Sequence, residues 1–567
     1  MRNLNRMKIK SPLLVIDDKS QTLTANDQEQ TEIIARYFRK QFHKNAKPQE
    51  QINPMQMSNP FTCEEVKNAI KKQKNNRSPG NDGITVEMLK YAPDKIYEIM
   101  AEIYNSIAET GDLPKELIEG ILCAIQKPGK KKGPPENLRP IILLSIIRKT
   151  LAICIINRIG SRIDKEIPIS QAAYRAGRST TEHVFSTKMI IERTTLSKNE
   201  TVHLILLDMS KAFDCLNRSL LIKDLKEIID TDELHLIQKL LQVKLSVKCG
   251  KYNSNYFDTD TGAPQGDCAS ANEFTFYLAK SINYHHTNQQ QEHDYHKTSK
   301  NIISEEHMEH NYTTPTQIEH ITITQEYADD ISKITSNYSE IQYIKEHLPD
   351  QLKKRDLLIN ESKTEEYTIT KNNKCDNKWK KCKLLGSLLD TTEDMKRRKG
   401  LALAAITSLK HIFNNNRISI SIKMRTFNAY ITPVYLYNSE LWCQTKTQKN
   451  SIDAFHRRLI RTNVLNVKWP KIVTNEQVYT RTNIQPWSII IEKRRLRWFG
   501  HITRMSPLTP AKQALEYAHQ KYKKHVGRPK QSWIKTMTNQ LNNINLTWEQ
   551  AYVIAQDREK WRDIVNM

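Results

Sequence analysis

Two β-forming runs, Ile321-Thr322-Ile323-Thr324 and Ile331-Ser332-Lys333-Ile334, bracket the tetrapeptide Tyr327-Ala328-Asp329-Asp330. Strand formers on either side of a tight acidic link predict a hairpin with two carboxylates at its tip. Adjacent carboxylates repel, and a fold that masses them usually awaits a divalent cation, for which hard oxygen ligands are suited. An acidic surface turn is the alternative for the tetrapeptide taken alone. A further acid, Asp208, ends Val202 to Leu207, a strand-length run that is apolar except for His203. A strand end beside a hairpin tip could bring Asp208 and Asp329 to one pair of ions. By itself Asp208 also fits a helix N-cap.

The chain around these acids is too long for one core. Its 567 residues should divide into several lobes. Lys and Arg outnumber Asp and Glu by 87 to 63, a formal charge of +24. Such a surplus favours a polyanionic partner, nucleic acid before membrane, because phosphate neutralisation releases counterions. The nine cysteines are scattered and odd in number, with no Cys-x-x-Cys pair, which suits a reduced, intracellular protein rather than a disulfide scaffold. No run of about 18 apolar residues is present to span a bilayer, and the basic start from Arg2 to Lys10 is too short for a targeting signal.

Gln28 to Phe42 reads as a short amphipathic helix. Thr62 with Glu65 forms a capping box that opens a helix to about Lys74. After a punctuated loop, Val86 to Tyr91 reads as a second helix, and two apolar runs between Ile121 and Ile147 flank the cationic loop Lys127 to Pro135. Those runs are strands, or a strand and a helix. Residues 285–320 form a polar, His-rich insert whose irregular spacing suggests a solvated, partly disordered loop over a metal site. Beyond about residue 395 the chain reads as helical and increasingly basic.

Between the acids lies Thr261-Gly262-Ala263-Pro264-Gln265-Gly266, a tight turn that another backbone or a base pair can approach closely. Upstream stand Arg77-Ser78-Pro79-Gly80 with Asp82-Gly83-Ile84, then Asn137-Leu138-Arg139-Pro140-Ile141, then Gln171 to Thr180. Downstream stand Asn360-Glu361-Ser362-Lys363-Thr364-Glu365 and Leu384-Leu385-Gly386. With Leu207 to Asp214 and Tyr327 to Asp330, these eight blocks in this order resemble the reverse transcriptases of non-LTR (LINE-type) retrotransposons. The resemblance covers about residues 60 to 400 and continues more weakly to the C-terminus.

That resemblance implies an α+β right-hand polymerase fold: fingers, a palm with an antiparallel sheet, a helical thumb and a basic helical C-terminal region. Mapped onto this chain, it implies a connector over 1–58, fingers over 59–200 and a palm over 201–395. The thumb would span 396–480 and the basic region 481–567. The implied activity is RNA-directed DNA polymerisation at a primed 3′-end with two Mg²⁺ ions, Mn²⁺ being an alternative. Template RNA, primer DNA and deoxynucleoside triphosphates are the implied partners, and the nucleus the implied location. Asp208, Asp329 and Asp330 would be the catalytic, metal-binding acids. Phe213 would exclude a 2′-hydroxyl, and Gln265 would position the incoming nucleotide. Lys127 and Arg139 would hold the triphosphate, and Lys363 would protonate pyrophosphate. Core packing for Phe213 and a solvated surface position for Lys363 are the structural alternatives.

Two departures stand out. Ala173-Tyr174-Arg175 replaces Gly-Phe-Arg, and Asp267 to Phe274 lacks the usual proline and adds Glu273. About sixty residues precede the polymerase, too few for an apurinic-type endonuclease, and no Cys/His knuckle follows it, so the expectation is a polymerase half without its nuclease. At the C-terminal end, Trp498 and Phe499 among cations could stack on bases or pack against the thumb, and Gly527-Arg528-Pro529-Lys530 echoes a minor-groove motif. The rival reading for the whole chain is a nucleic-acid-binding relic without turnover.

Overall fold

A computed structural model describes residues 13–17, 22–43, 52–197, 200–288, 321–370, 377–468, 470–520 and 531–566. The histidine side chains of the 285–320 insert, Cys375 and the Gly527 to Lys530 motif lie outside the described residues. Helix α1 (Asp27–Phe42) begins where the Asn26 side chain accepts from the Gln28 and Glu29 amides. Its buried Ile34, Phe38 and Phe42 recur every fourth residue and form one apolar stripe. The capping box of Thr62 and Glu65 opens a helix over Cys63–Lys72, as the sequence predicts.

The two apolar runs around the cationic loop are strands. β1 (Glu119–Gln126) and β2 (Leu138–Leu143) pair antiparallel, with Ile125 opposite Arg139. Helices α2 (Ile146–Glu166) and α3 (Thr180–Leu196) follow, and then β3 (Thr201–Leu207). The chain next returns to the first sheet: β4 (Lys244–Cys249) pairs parallel with β1. Residues 244–258 therefore extend this first sheet, although they fall inside the stretch 201–395 expected to form the palm with its polar insert. The cause is coverage. Leu245 and Val247 of β4 join Leu122, Leu138 and Ile142 in the core beneath α1, which a lone hairpin would leave open.

α4 (Ser270–Asn288), β5 (Thr322–Tyr327), β6 (Asp330–Thr335) and β7 (Glu365–Thr370) complete the palm. Its sheet runs β7-β3-β6-β5, antiparallel throughout. Successive strand residues face opposite sides. Ile205, Leu207 and Ile331 enter a core shared with the fingers helices and α4, while Val202, Leu204, Ile334 and Ile369 enter a second core. Both faces are covered, which is why β3 reads as an almost unbroken apolar run. Each fully buried Leu or Ile here contributes on the order of 2 kcal/mol.

The second core explains the C-terminal region. α5 (Thr391–Ser408) starts a helical thumb centred on Phe413, Phe427, Tyr435 and Trp442. α6 (Trp487–Thr503) spans both units: Trp487 and Ile491 enter the thumb core, whereas Trp498, Phe499 and Ile502 enter the palm core. α7 (Pro510–His519) lies along α3. Phe499 is fully buried, and the ring of Trp498 meets Phe185 edge-on at 5.6 Å, so these aromatics pack rather than stack on bases. Eight cysteines among the described residues carry free thiols.

Candidate active site

The palm register assembles the acids. Ile331 faces Leu207 on one side of β3, and Glu365 faces Leu206 on the other. One or two steps further along the same registers, Asp208 lies between Asp330 and Lys363. Lys363 Nζ donates to Asp208 Oδ2 at 2.6 Å, and the Asn360 amide donates to the Asp208 carbonyl at 2.7 Å. Asp208 is thus a strand-end residue rather than a helix cap.

Tyr327 pairs with Asp330, leaving Ala328-Asp329 as a two-residue hairpin turn. Ala328 has φ +56°, the left-handed value this turn demands and glycine usually supplies. Gln171 holds it there. Its fully buried carboxamide accepts from the amides of Ala328 and Ala173 at 3.0 Å each and donates to the Ala328 carbonyl at 3.4 Å. Around it the Ala172 amide donates to the Glu326 carbonyl, and the Glu326 amide to the Ser170 carbonyl. Gln171 heads the block Gln171 to Thr180, a position that by itself gives no sign of this task.

These acids repel one another. Burial raises the Asp329 carboxyl above the usual range, and the charge of Asp208 adds to it while Lys363 and Arg139 oppose. Asp330 is exposed yet pushed up to about 6, first by partial desolvation and then by Asp329 and Asp208. An oxygen-only donor set under mutual repulsion fits a hard cation. Among the described residues no three His, Cys, Asp or Glu side chains form a cage able to hold one unaided. Mg²⁺ does not need a cage, because one or two carboxylates suffice when water and substrate phosphates complete its shell.

Cations gather on the fingers side. Lys127 Nζ donates to the Glu136 carbonyl at 2.8 Å. Its pKa is lowered by burial and then by Lys211, with Arg139 and Lys363 adding and Asp214 opposing. Arg139 is exposed on β2. Positive groups crowded in this way favour an arriving polyphosphate.

The glycine-rich turn packs against the backbone of Asp214 and against β2. Gly266 has φ +144°, and a Cβ there would lie 2.1 Å from the Ile142 carbonyl oxygen; at Gly262 it would lie 2.8 Å from that of Asp214. The Ile142 amide donates to the Gln265 carbonyl at 2.9 Å, and Gln265 Nε2 donates to Asp214 Oδ1 at 2.9 Å. The Phe213 ring is half-buried and stacks on Phe274 at 4.1 Å. Arg218, almost fully buried, donates to the carbonyls of Thr259, Thr261 and Gly262. In the segment that lacks proline, Ser270 Oγ donates to the Pro264 carbonyl at 2.8 Å, and Arg148 pairs with Asp267 at 3.1 Å.

A cavity of about 320 Å³ opens beside the acids, lined by Asp208, Asp330, Lys363, His183, Leu384 and Leu385. Its floor is the turn expected at Leu384-Leu385-Gly386, where Leu385 takes φ +43° and its carbonyl accepts from the Tyr437 hydroxyl at 3.0 Å.

Carboxylates at one end of an antiparallel palm sheet, cations on a fingers sheet and a helical thumb define a right-hand polymerase fold. Known proteins narrow the class. Residues 125–389 match the family described as reverse transcriptase (RNA-dependent DNA polymerase), so this stretch is a reverse transcriptase domain, of a family that generally uses divalent metal ions. The probable RNA-directed DNA polymerase from transposon BS of Drosophila melanogaster is 31% identical over 39% of this chain and 26% of its own length. The RNA-directed DNA polymerase from mobile element jockey of Drosophila funebris is 24% identical over 76% of this chain and 48% of its own. The chain therefore spans about a quarter to a half of these relatives. A telomerase from Candida tropicalis in complex with a telomeric RNA fragment aligns over 72% of this chain and 65% of that one. Its identity is 12% and its TM-score 0.34, too loose a likeness to carry any argument. The kinship with non-LTR retrotransposon reverse transcriptases, expected from the ordered motifs, holds for the domain.

Proposed function

We propose that this protein is an RNA-directed DNA polymerase of a non-LTR retrotransposon, copying element RNA into DNA from a primed 3′-end. The observation that carries this reading is the row of Asp330, Asp208 and Lys363 across the sheet end, with Asp329 at the adjoining turn. Asp208 and Asp329 would hold two Mg²⁺ ions, with Asp330 beside them, and Mn²⁺ shares the same oxygen preference. When bound, such ions lower the pKa of an attacking hydroxyl and stabilise charge on the leaving oxygen.

The chain's own residues would do the rest. Lys127 offers a point charge and Arg139 a planar fork to the triphosphate. Phe213, braced by Phe274, would stand against the sugar and exclude a 2′-hydroxyl. Gln265, tethered by Asp214, would position the base of the nucleotide. Lys363 would leave Asp208 as the nucleotide arrives and give a proton to the departing pyrophosphate.

Template RNA, primer DNA and deoxynucleoside triphosphates are the proposed partners, and the net charge of +24 supports them. Among the described residues no helix is long and apolar enough to cross a membrane. The nucleus is the proposed setting, because the primer would be a nicked chromosomal end. The packed segment after Gly266 supports an enzyme over an inert relic. Primer extension on poly(A)–oligo(dT) with Mg²⁺ and labelled dTTP tests the reading. Extension in the first minutes is expected; a protein that binds the hybrid in a salt-sensitive way but never lengthens the primer would overturn it.

A further inference from the structure

Helix α1 belongs to the stretch read from sequence as a connector, yet it reaches the nucleotide side of the site. Tyr37 and Gln41 stand one helical turn apart, on a different side of the helix from the buried Ile34, Phe38 and Phe42. Gln41 Nε2 donates to Asp214 Oδ2 at 2.7 Å, and Gln41 Oε1 accepts from Lys211 Nζ at 2.7 Å. Lys211 also donates to the Tyr37 hydroxyl at 2.7 Å, with its ammonium 4.9 Å from the centre of that ring. The Asp260 amide donates to the Phe42 carbonyl at 3.0 Å, fixing the end of the helix beside the glycine-rich turn.

The two groups that α1 holds are not ordinary loop residues. Lys211 sits three positions after Asp208 with φ +52°, a conformation that costs a lysine on the order of 1 kcal/mol and persists only where neighbours enforce it. Asp214 is 4% exposed, and its carboxylate is shared: one oxygen takes Gln41, the other Gln265. A single buried carboxylate therefore joins α1 to the glutamine assigned above to the incoming nucleotide.

We infer that Gln41 is a positioning residue of the nucleotide site, acting on Gln265 through Asp214 and on the Asp208 loop through Lys211. The inference rests on the polymerase reading of the same site. Removing the Gln41 carboxamide leaves one oxygen of Asp214 without its donor and lets that carboxylate turn. Gln265 then loses its fixed orientation, which should weaken nucleotide binding before it slows chemistry.

Gln41→Met keeps the volume of the side chain and removes both hydrogen bonds. Steady-state extension with full-length protein should show KM for the nucleotide raised about ten-fold, the size of one charge-assisted hydrogen bond. kcat should change less than about three-fold and the melting temperature should stay within about 2 °C. Misincorporation opposite a defined template base should rise with KM, and Glu32→Gln on the exposed side of α1 should change neither quantity. An unchanged KM in Gln41→Met overturns the inference, as does a parallel fall in kcat and melting temperature at constant KM, which would mark the helix as structural support alone. Tyr37→Phe, which deletes only an acceptor of Lys211, should give a smaller rise in KM; a larger rise than Gln41→Met also contradicts the proposal. If the unmodified protein does not extend primers at all, the polymerase reading fails instead, and the two failures are distinct.

Discussion

Gln171 completes the hydrogen bonding of Ala328: its side-chain oxygen takes the Ala328 amide at 3.0 Å and its nitrogen reaches the Ala328 carbonyl. The residue that sets the pitch of the acidic turn is therefore held by a side chain 157 positions earlier. Gln171→Leu would strand the buried amides of Ala328 and Ala173, at about 1–3 kcal/mol for the first such group. Urea melts should show a loss of about 2 kcal/mol, and primer extension should fall more than ten-fold because Asp329 is next along the turn. Full extension with the stability lost would show that the turn keeps its shape without the clamp.

Ala328 itself is strained. A glycine there removes the left-handed penalty but gives the unfolded chain more freedom, two effects of about 1 kcal/mol and opposite sign. Ala328→Gly should therefore leave stability within about 1 kcal/mol of the parent, whereas Ala328→Val should lose about 2 kcal/mol or more. Thermal melts of the two variants side by side check the contrast, and equal losses would contradict the turn geometry.

Glu273 gives a pH dependence. It is buried in α4, and desolvation, with Asp267 adding and Arg148 and Arg218 opposing, pushes its carboxyl up to about 8. In the unfolded chain it titrates near 4.3. Between these values the folded protein keeps a proton that the unfolded chain has released, so this residue's contribution to stability declines as pH rises from about 5 to about 8. Glu273→Gln removes the titration. The stability of the variant relative to the parent should rise by about 3–4 kcal/mol between pH 5 and pH 8. His183 and His456, both held down to about 3 by burial, act with the opposite sign below about pH 6.5 and cancel in the comparison. A pH-independent difference would contradict the assignment.

Lys363 competes with a cation for Asp208. The pair is half-exposed, so its loss should cost less than about 1 kcal/mol of stability. Lys363→Met should nevertheless bind Mn²⁺ more tightly, by about three-fold or more in a titration of the nucleotide-free protein, while extension slows for want of the proton donor. Weaker Mn²⁺ binding would mean that Lys363 supports the ion site rather than opposing it.

How much of this was legible in the sequence follows from the range of each interaction. The acidic hairpin, β3, the Thr62 capping box and α1 were readable because local periodicity and turn chemistry determine them. The return of β4 to the fingers sheet was not, since pairing with β1 depends on a partner more than a hundred residues away. Gln171 heads a recognisable block and Gln41 lies on an amphipathic helix, but the sequence shows neither partner; only the fold shows one at Ala328 and the other on Asp214, 173 positions on. The basic look of the C-terminal region hid how buried α6 is, because Trp498 and Phe499 stand among cations and even Arg495 is buried, donating to the Trp442 carbonyl and to Gln540.

Asp329→Asn tests the central claim most directly. The change keeps the size of the side chain in the Ala328-Asp329 turn, removes its charge and turns one acceptor oxygen into an amide donor. Extension of oligo(dT) on poly(A) with Mg²⁺ should fall by about a hundred-fold or more, while binding of the same hybrid keeps its affinity and salt dependence. Extension at the parental rate, with binding equally intact, would contradict the account, because the acid at the hairpin tip would then play no part in the chemistry.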